Sequence, residues 1–265
     1  MNNIILSRFQ HEPALLGITT RAWFETCVQK AEDLFAQVEA NEAAEGVQAS
    51  SGFWFADDDW RARLRPYNVK NGVLQIPVKG VLLNGFPWQY GSYATGYEYI
   101  YEAMKRGVED NDVKGIALII DSPGGMVAGN YDLVDRMFEM RGKKPIKAFA
   151  AESAYSAAYS IASAADEIIV TRSGGVGSVG VLTMHVDYSD ALEAQGVKVT
   201  FIFAGKHKVD GNPYEPLPEG VRARIQERID TLYSEFVGIV ARNRGIDEKA
   251  VRKTEADVFD ANSAL

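Results

Sequence analysis

Two short segments of the sequence contain residue types that acyl-transfer chemistry needs. Gly124 and Gly125 end the run Asp121-Ser122-Pro123-Gly124-Gly125, which follows an apolar stretch and predicts a turn with free backbone N–H groups. Ser156 lies among small residues at the predicted start of a helix, where unpaired N–H groups and the helix dipole favour negative charge. A serine nucleophile and N–H donors for an oxyanion are two of three parts of a serine hydrolase. Each also has a simpler interpretation, a helix-capping serine and an ordinary strand-to-helix turn.

The third part is a base, and the candidate is Lys208 in Gly205-Lys206-His207-Lys208. A lysine acts as a base only in its neutral form, which burial away from water favours. From spacing alone, an exposed loop lysine is the simpler interpretation. His185 is the alternative base, in a Ser–His–Asp triad. Ser178, in a glycine-rich turn, could orient an amine, or could be a plain turn residue.

The elements that must position these residues alternate between strands and helices. This order predicts an α/β fold with a largely parallel sheet and right-handed crossovers. The predicted strands are 67–69, 73–83, 116–120, 146–151, 167–171, 179–186 and 197–203, with a tight hairpin at Asn71-Gly72. The predicted helices are 19–45, 97–109, 127–140, 156–165, 189–195, 219–242 and 247–254, and a further one begins near Asp257. Residues 1–60 are predicted to form a helical appendage and linker, and residues 61–265 the main domain.

Composition excludes several classes of function. The 265 residues carry a net charge of −8 and no basic tract, which argues against nucleic-acid binding. The single cysteine, Cys27, cannot form an internal disulfide and is predicted to be buried in a helix. No apolar run reaches the roughly 18 residues of a membrane helix, and the N-terminus does not resemble a secretion signal. No His, Cys or carboxylate cluster has metal-ligand spacing, so we expect no metal site.

Four motifs in order resemble the signal peptide peptidase A (SppA-like) family of serine–lysine peptidases, which has the ClpP/crotonase fold. They are Ser122-Pro123-Gly124-Gly125, the segment 156–166 ending in Ala165-Asp166, Gly177-Ser178-Val179-Gly180-Val181 and Gly205-Lys206-His207-Lys208. The resemblance implies that Ser156 is the nucleophile and Lys208 the base. It further implies that the N–H groups of Gly125 and Ala157 hold the oxyanion, that Ser178 positions the lysine, and that the protein self-associates without a cofactor.

The segments 122–129 and 207–214 more closely resemble the head-maturation proteases of tailed phages. That resemblance implies cleavage of scaffold and capsid or portal proteins, and of the protease itself, inside the assembling procapsid in the host cytoplasm. It also leads us to expect a truncated chain, lacking a scaffold-like region after Leu265. Ala157-Ala158 replaces the family's usual Gly-Gly or Ala-Gly, so substrate preference is not transferred. The alternatives are a bacterial cytosolic SppA-like peptidase, a crotonase-like acyl-CoA enzyme and a non-enzymatic assembly factor.

Overall fold

The computed structural model describes residues 14–16, 21–45 and 52–264. The strands are β1 Ala14–Leu16, β2 Asn68–Lys70, β3 Val73–Leu83, β4 Gln89–Tyr90, β5 Ala94–Gly96, β6 Gly115–Met126, β7 Ile146–Tyr155, β8 Glu167–Val170, β9 Gly175–Gly177 and β10 Val258–Asp260. The α-helices are α1 Arg21–Glu45, α2 Tyr97–Glu109, α3 Asn130–Glu139, α4 Ala157–Ser163, α5 Ser189–Ala194, α6 Glu219–Arg244 and α7 Glu248–Arg252. A 3₁₀ helix covers Trp60–Leu64. Within these ranges, no helix is both long and apolar enough to span a bilayer.

One sheet organises the molecule, with the path β10-β9-β7-β6-β3-β5-β4. The central pairs, β3 with β6 and β6 with β7, are parallel. Helices α2, α3 and α4 connect or follow these strands, as expected where parallel strands need crossover connections. The predicted α/β class, with its largely parallel sheet and N-terminal helix, is confirmed.

Local sequence explains the best-predicted elements. β2 and β3 form the expected hairpin, with Asn71 at φ 53° and Gly72 at φ 78°, the left-handed conformations that a tight turn needs. The bounds of β3 and α2 agree with the prediction. The first part of β6 is mostly buried because both faces are covered, which matches its unbroken apolar run.

Helix α1 packs on the body of the protein rather than standing apart from it. Its apolar stripe joins the same hydrophobic cluster as the central strands, through Phe24, Val28 and Leu34. Cys27 is buried, as predicted, and burial raises the pKa of its thiol. The division at residue 60 therefore remains a prediction about sequence organisation, since the packing crosses it.

Four secondary-structure predictions were wrong. The predicted turn at residues 121–125 is instead the end of β6, which stays extended to Met126 because β3 pairs with it up to Gly125. The predicted strands 179–186 and 197–203 do not form, apart from a bridge at Leu182. The predicted helix near Asp257 is instead the strand β10, which pairs antiparallel with β9.

Candidate active site

Ser156 stands between the last residue of β7 and the first residue of α4. It is fully buried and has φ 55° and ψ −116°, a conformation that residues with a side chain rarely adopt. Its N–H donates to the carbonyl of Gly177 over 2.8 Å, and its Oγ lies 3.5 Å from the carbonyl oxygen of Gly180. The surrounding structure therefore holds this serine in a strained conformation, which is common at functional sites.

The glycine segment of β6 lies beside this serine. Pairing of β6 with β7 ends at Ser122 opposite Ala154, two residues before Ser156. Gly124 has φ 112°, which favours glycine, and its N–H donates to the Oγ of Ser122 over 3.2 Å. At Gly125, an added Cβ would lie 2.0 Å from the carbonyl oxygen of Leu82, so only glycine fits. The candidate nucleophile Ser156 and the candidate oxyanion glycines therefore lie close to one another, at the ends of the adjacent strands β7 and β6.

The turn that contains Ser178 also lies against Ser156. Gly177 accepts the N–H of Ser156, and Ser178 itself is buried with φ 57°. The N–H of Ser178 donates to the carbonyl of Asp257 over 2.8 Å, so the segment before β10 holds the turn in place. The Ser178 hydroxyl has no hydrogen-bond partner among the described residues, and could accept a bond from an incoming group.

Lys208 does not meet Ser156 in this structure. It lies in an exposed turn, and its side chain forms no hydrogen bond or ion pair with any described residue. The turn is instead attached to α6, because Arg224 contacts both His207 and Asp210. Although desolvation opposes it, hydrogen bonds from His207 and Arg224 lower the pKa of Asp210. Three of the four predicted motifs are thus brought together, and the fourth is not.

The competing histidine is also engaged elsewhere. His185 Nε2 lies 2.9 Å from the carbonyl oxygen of Asn212, a residue of the segment that follows the Lys208 turn. No hydrogen bond joins His185 to Ser156. The described residues contain no cluster of three or more His, Cys, Asp or Glu side chains that could hold a metal ion.

Sequence reasoning missed two residues that fix the serine helix. Asn130, fully buried at the start of α3, donates to the carbonyl of Ala157 over 3.3 Å and accepts from Ser160. Arg141 caps the other end of α4 by donating to the last carbonyls of that helix. These contacts are to Ser163, Ala164 and Ala165, with a further one to Asn243. The sequence signal that could have revealed Asn130 is its position as a polar residue, directly after Gly129, on a helix face that is otherwise apolar.

One acidic group borders the site. Asp121 lies in β6 immediately before Ser122, and burial together with the nearby Glu152 raises the pKa of its carboxyl group. The N–H of Ser153 and the charge of Lys79 oppose this rise. Ionised Asp121 is therefore held at a cost in the folded protein.

The sequence is similar to those of known peptidases. Residues 139–265 match the family model of Peptidase family S49. Capsid assembly protease C of Escherichia phage lambda is 40% identical over 210 residues, which cover 79% of this chain and 48% of that protein. Head-tail preconnector protein GP5 of Enterobacteria phage P21 is 39% identical over 223 residues, covering 84% and 44%.

The chain thus spans less than half the length of these two relatives. Among solved structures, a ClpP1 mutant from Listeria monocytogenes aligns with a TM-score of 0.43 and 13% identity, covering 72% of this chain and 84% of that one. Residues 139–265 thus carry the match to Peptidase family S49, and the resemblance to SppA-like peptidases and phage capsid assembly proteases is confirmed.

Proposed function

We propose that this protein is a serine endopeptidase with a Ser156–Lys208 dyad that cleaves phage scaffold and capsid proteins, and itself, during head maturation. Its place of action would be the procapsid assembling in the host cytoplasm. The observation that carries the proposal is the strained, buried Ser156 at the β7–α4 junction, beside a strand end where Gly125 admits no side chain. The name of the lambda relative, capsid assembly protease C, supports capsid proteins as the class of substrate.

The chemistry would proceed in two steps. Ser156 Oγ attacks the peptide carbonyl while Lys208 Nζ takes its proton, and that proton then goes to the leaving amine. Water releases the acyl group from Ser156 in the second step, again with the lysine as base. The N–H groups of Gly125 and Ala157 would hold the oxyanion, and each would lower the activation barrier by on the order of 3 kcal/mol. Ser178, with its unpartnered hydroxyl, would accept a hydrogen bond from the lysine amine.

Lys208 must move, or come from another copy, to play this role. The segment that leads to it exposes apolar side chains, including Ile202 at 98% and Phe203 at 50%. Large exposed apolar surface of this kind marks an interaction site. We therefore propose that the protein forms homo-oligomers and that assembly buries this segment and shields the lysine from water.

Co-expression with a phage scaffold or capsid protein tests the function. We expect mass spectrometry to find defined fragments with the wild type and none with Ser156→Ala, although both fold. Lys208→Ala should abolish cleavage too, whereas His185→Ala should retain it. Full activity of Lys208→Ala would exclude the dyad, and loss of activity only in His185→Ala would favour a histidine base.

Mixing inactive variants tests the source of the lysine. If the base comes from a neighbouring copy, equal amounts of Ser156→Ala and Lys208→Ala should restore up to about a quarter of the activity when mixed before assembly. Because each site then needs one intact serine and one intact lysine, neither variant alone can supply both. No recovery on mixing would show that both residues act within one copy.

A further inference from the structure

The strand β1 occupies an edge of β6 that the rest of the sheet leaves free. Ala14, Leu15 and Leu16 pair antiparallel with Met126, Gly125 and Gly124, respectively. Along its other edge, β6 pairs with β3 up to Leu82 opposite Gly125. Because a strand has only two edges, β1 must lie on the edge that faces β7.

β7 itself no longer uses that part of the edge. Its pairing with β6 ends at Ser122 opposite Ala154, and the chain then turns through Ser156 into α4. β1 therefore fills the gap that opens between β6 and β7 at the level of Ser156. An extended peptide that is to be attacked by this serine, with its carbonyl at the Gly125 amide, needs this same gap.

A free strand edge binds an extended peptide by backbone hydrogen bonds, without demanding particular side chains. Two glycines on this edge also let another backbone approach closely. We propose that residues 14–16 of the same chain are a built-in occupant of the Gly124–Met126 edge, and that they compete there with an extended peptide substrate. The inference rests on the proposed function for the class of ligand, an extended peptide.

Covalent attachment makes the occupant effective although it is short. Three residue pairs alone would bind weakly, but α1, anchored by Phe24, Val28 and Leu34 in the core, keeps the segment at a high local concentration. A longer peptide, which can pair beyond these three residues, should displace it. The docked segment would therefore lower the affinity for short peptides more than the affinity for long ones.

Proline substitutions in the full chain test the competition. Proline lacks the N–H group that strand pairing needs, and alternate residues of a strand face opposite edges. Leu15→Pro and Leu16→Pro are therefore made as two single variants, because one of these two residues must direct its N–H group at β6. Leu15→Val, which keeps the N–H and a good strand former, is the matched control.

The measurement is the binding of a fluorescein-labelled peptide with the sequence of residues 12–18, in a Ser156→Ala background where nothing is cleaved. We expect at least one proline variant to bind about tenfold more tightly than the parent, if β1 is docked in about nine of ten molecules. In the same variant, amide hydrogen exchange should accelerate within Gly124–Met126. Equal binding by parent, control and both proline variants, or no binding by any of them, would overturn the proposal.

This result is separable from the fate of the proposed function. Tighter binding by a proline variant, with no hydrolysis once Ser156 is restored, would support the docked segment and refute the peptidase. Hydrolysis at one common rate in all variants, with equal binding, would support the peptidase and refute the docked segment.

Discussion

Gly125→Ala tests whether the end of β6 is built around a residue that admits no side chain. The added Cβ would lie 2.0 Å from the carbonyl oxygen of Leu82 and 2.7 Å from its Cβ. Normal contacts between such atoms are longer than about 3 Å, so β3 and β6 must separate locally by roughly 1 Å. Overpacking of this kind costs about 1–3 kcal/mol of stability. A displacement of 1 Å at a catalytic donor can also reduce the rate about 100-fold.

Two measurements follow on the same variant. We expect urea unfolding to show a loss of about 1–3 kcal/mol, and cleavage of a peptide substrate to slow by about 100-fold or more. Gly220→Ala is the control, because no atom lies within 4 Å of its added Cβ and it lies in the first turn of α6. It should leave cleavage unchanged and stabilise slightly. A Gly125→Ala variant as stable and as active as the wild type would refute the role of this residue.

Three further substitutions probe the supports of Ser156. Ser156→Gly should be about 1 kcal/mol more stable than Ser156→Ala in urea unfolding, because glycine adopts φ 55° without strain; equal stability would show that the serine is unstrained. Arg141→Met should cost roughly 3 kcal/mol, since it leaves the last carbonyls of α4 without donors; a loss below about 0.5 kcal/mol would contradict this. Asp121→Asn should stabilise the protein at neutral pH, because the raised pKa of this carboxyl group penalises its ionised form; the gain should fade as the pH falls through the raised pKa to the ordinary carboxyl value, and a gain independent of pH would exclude this cause.

The sequence predicted the part of the site that depends on local chemistry. The apolar run of β6, the small residues around Ser156 and the left-handed pair Asn71-Gly72 each require one local conformation, whatever lies further away. The glycine strand was harder, because Gly124 and Gly125 are typical of a turn, and only the backbone of Leu82 explains why they stay extended. Pairing between β1 and β6 joins residues far apart in sequence, and nothing in residues 14–16 indicates it.

The absence of the predicted strands 179–186 and 197–203 has a different physical cause. Residues 179–186 and 197–203 contain the β-branched and apolar residues of good strands, but strand propensity is realised only against packing neighbours. Within one copy several of these apolar side chains stay exposed to solvent, among them Val186, Val197 and Ile202. Their sequence is therefore better matched to a surface that another chain covers than to the surface of a monomer.

The same segment leads to Lys208, so its ordering and the activity should be linked. If a second copy covers residues 197–203, association buries apolar area that contributes about 25 cal/mol per Å² and removes water from around the lysine. We therefore expect cleavage per molecule to rise with protein concentration, in step with the assembled fraction measured by analytical ultracentrifugation. Ile202→Asp should shift both curves to higher concentration, whereas Lys198→Asp, on an exposed residue of the same segment that is already polar, should shift them less. Full activity in a strictly monomeric Ile202→Asp variant would mean that Lys208 reaches Ser156 within one copy, and the exposed apolar residues would then need another explanation.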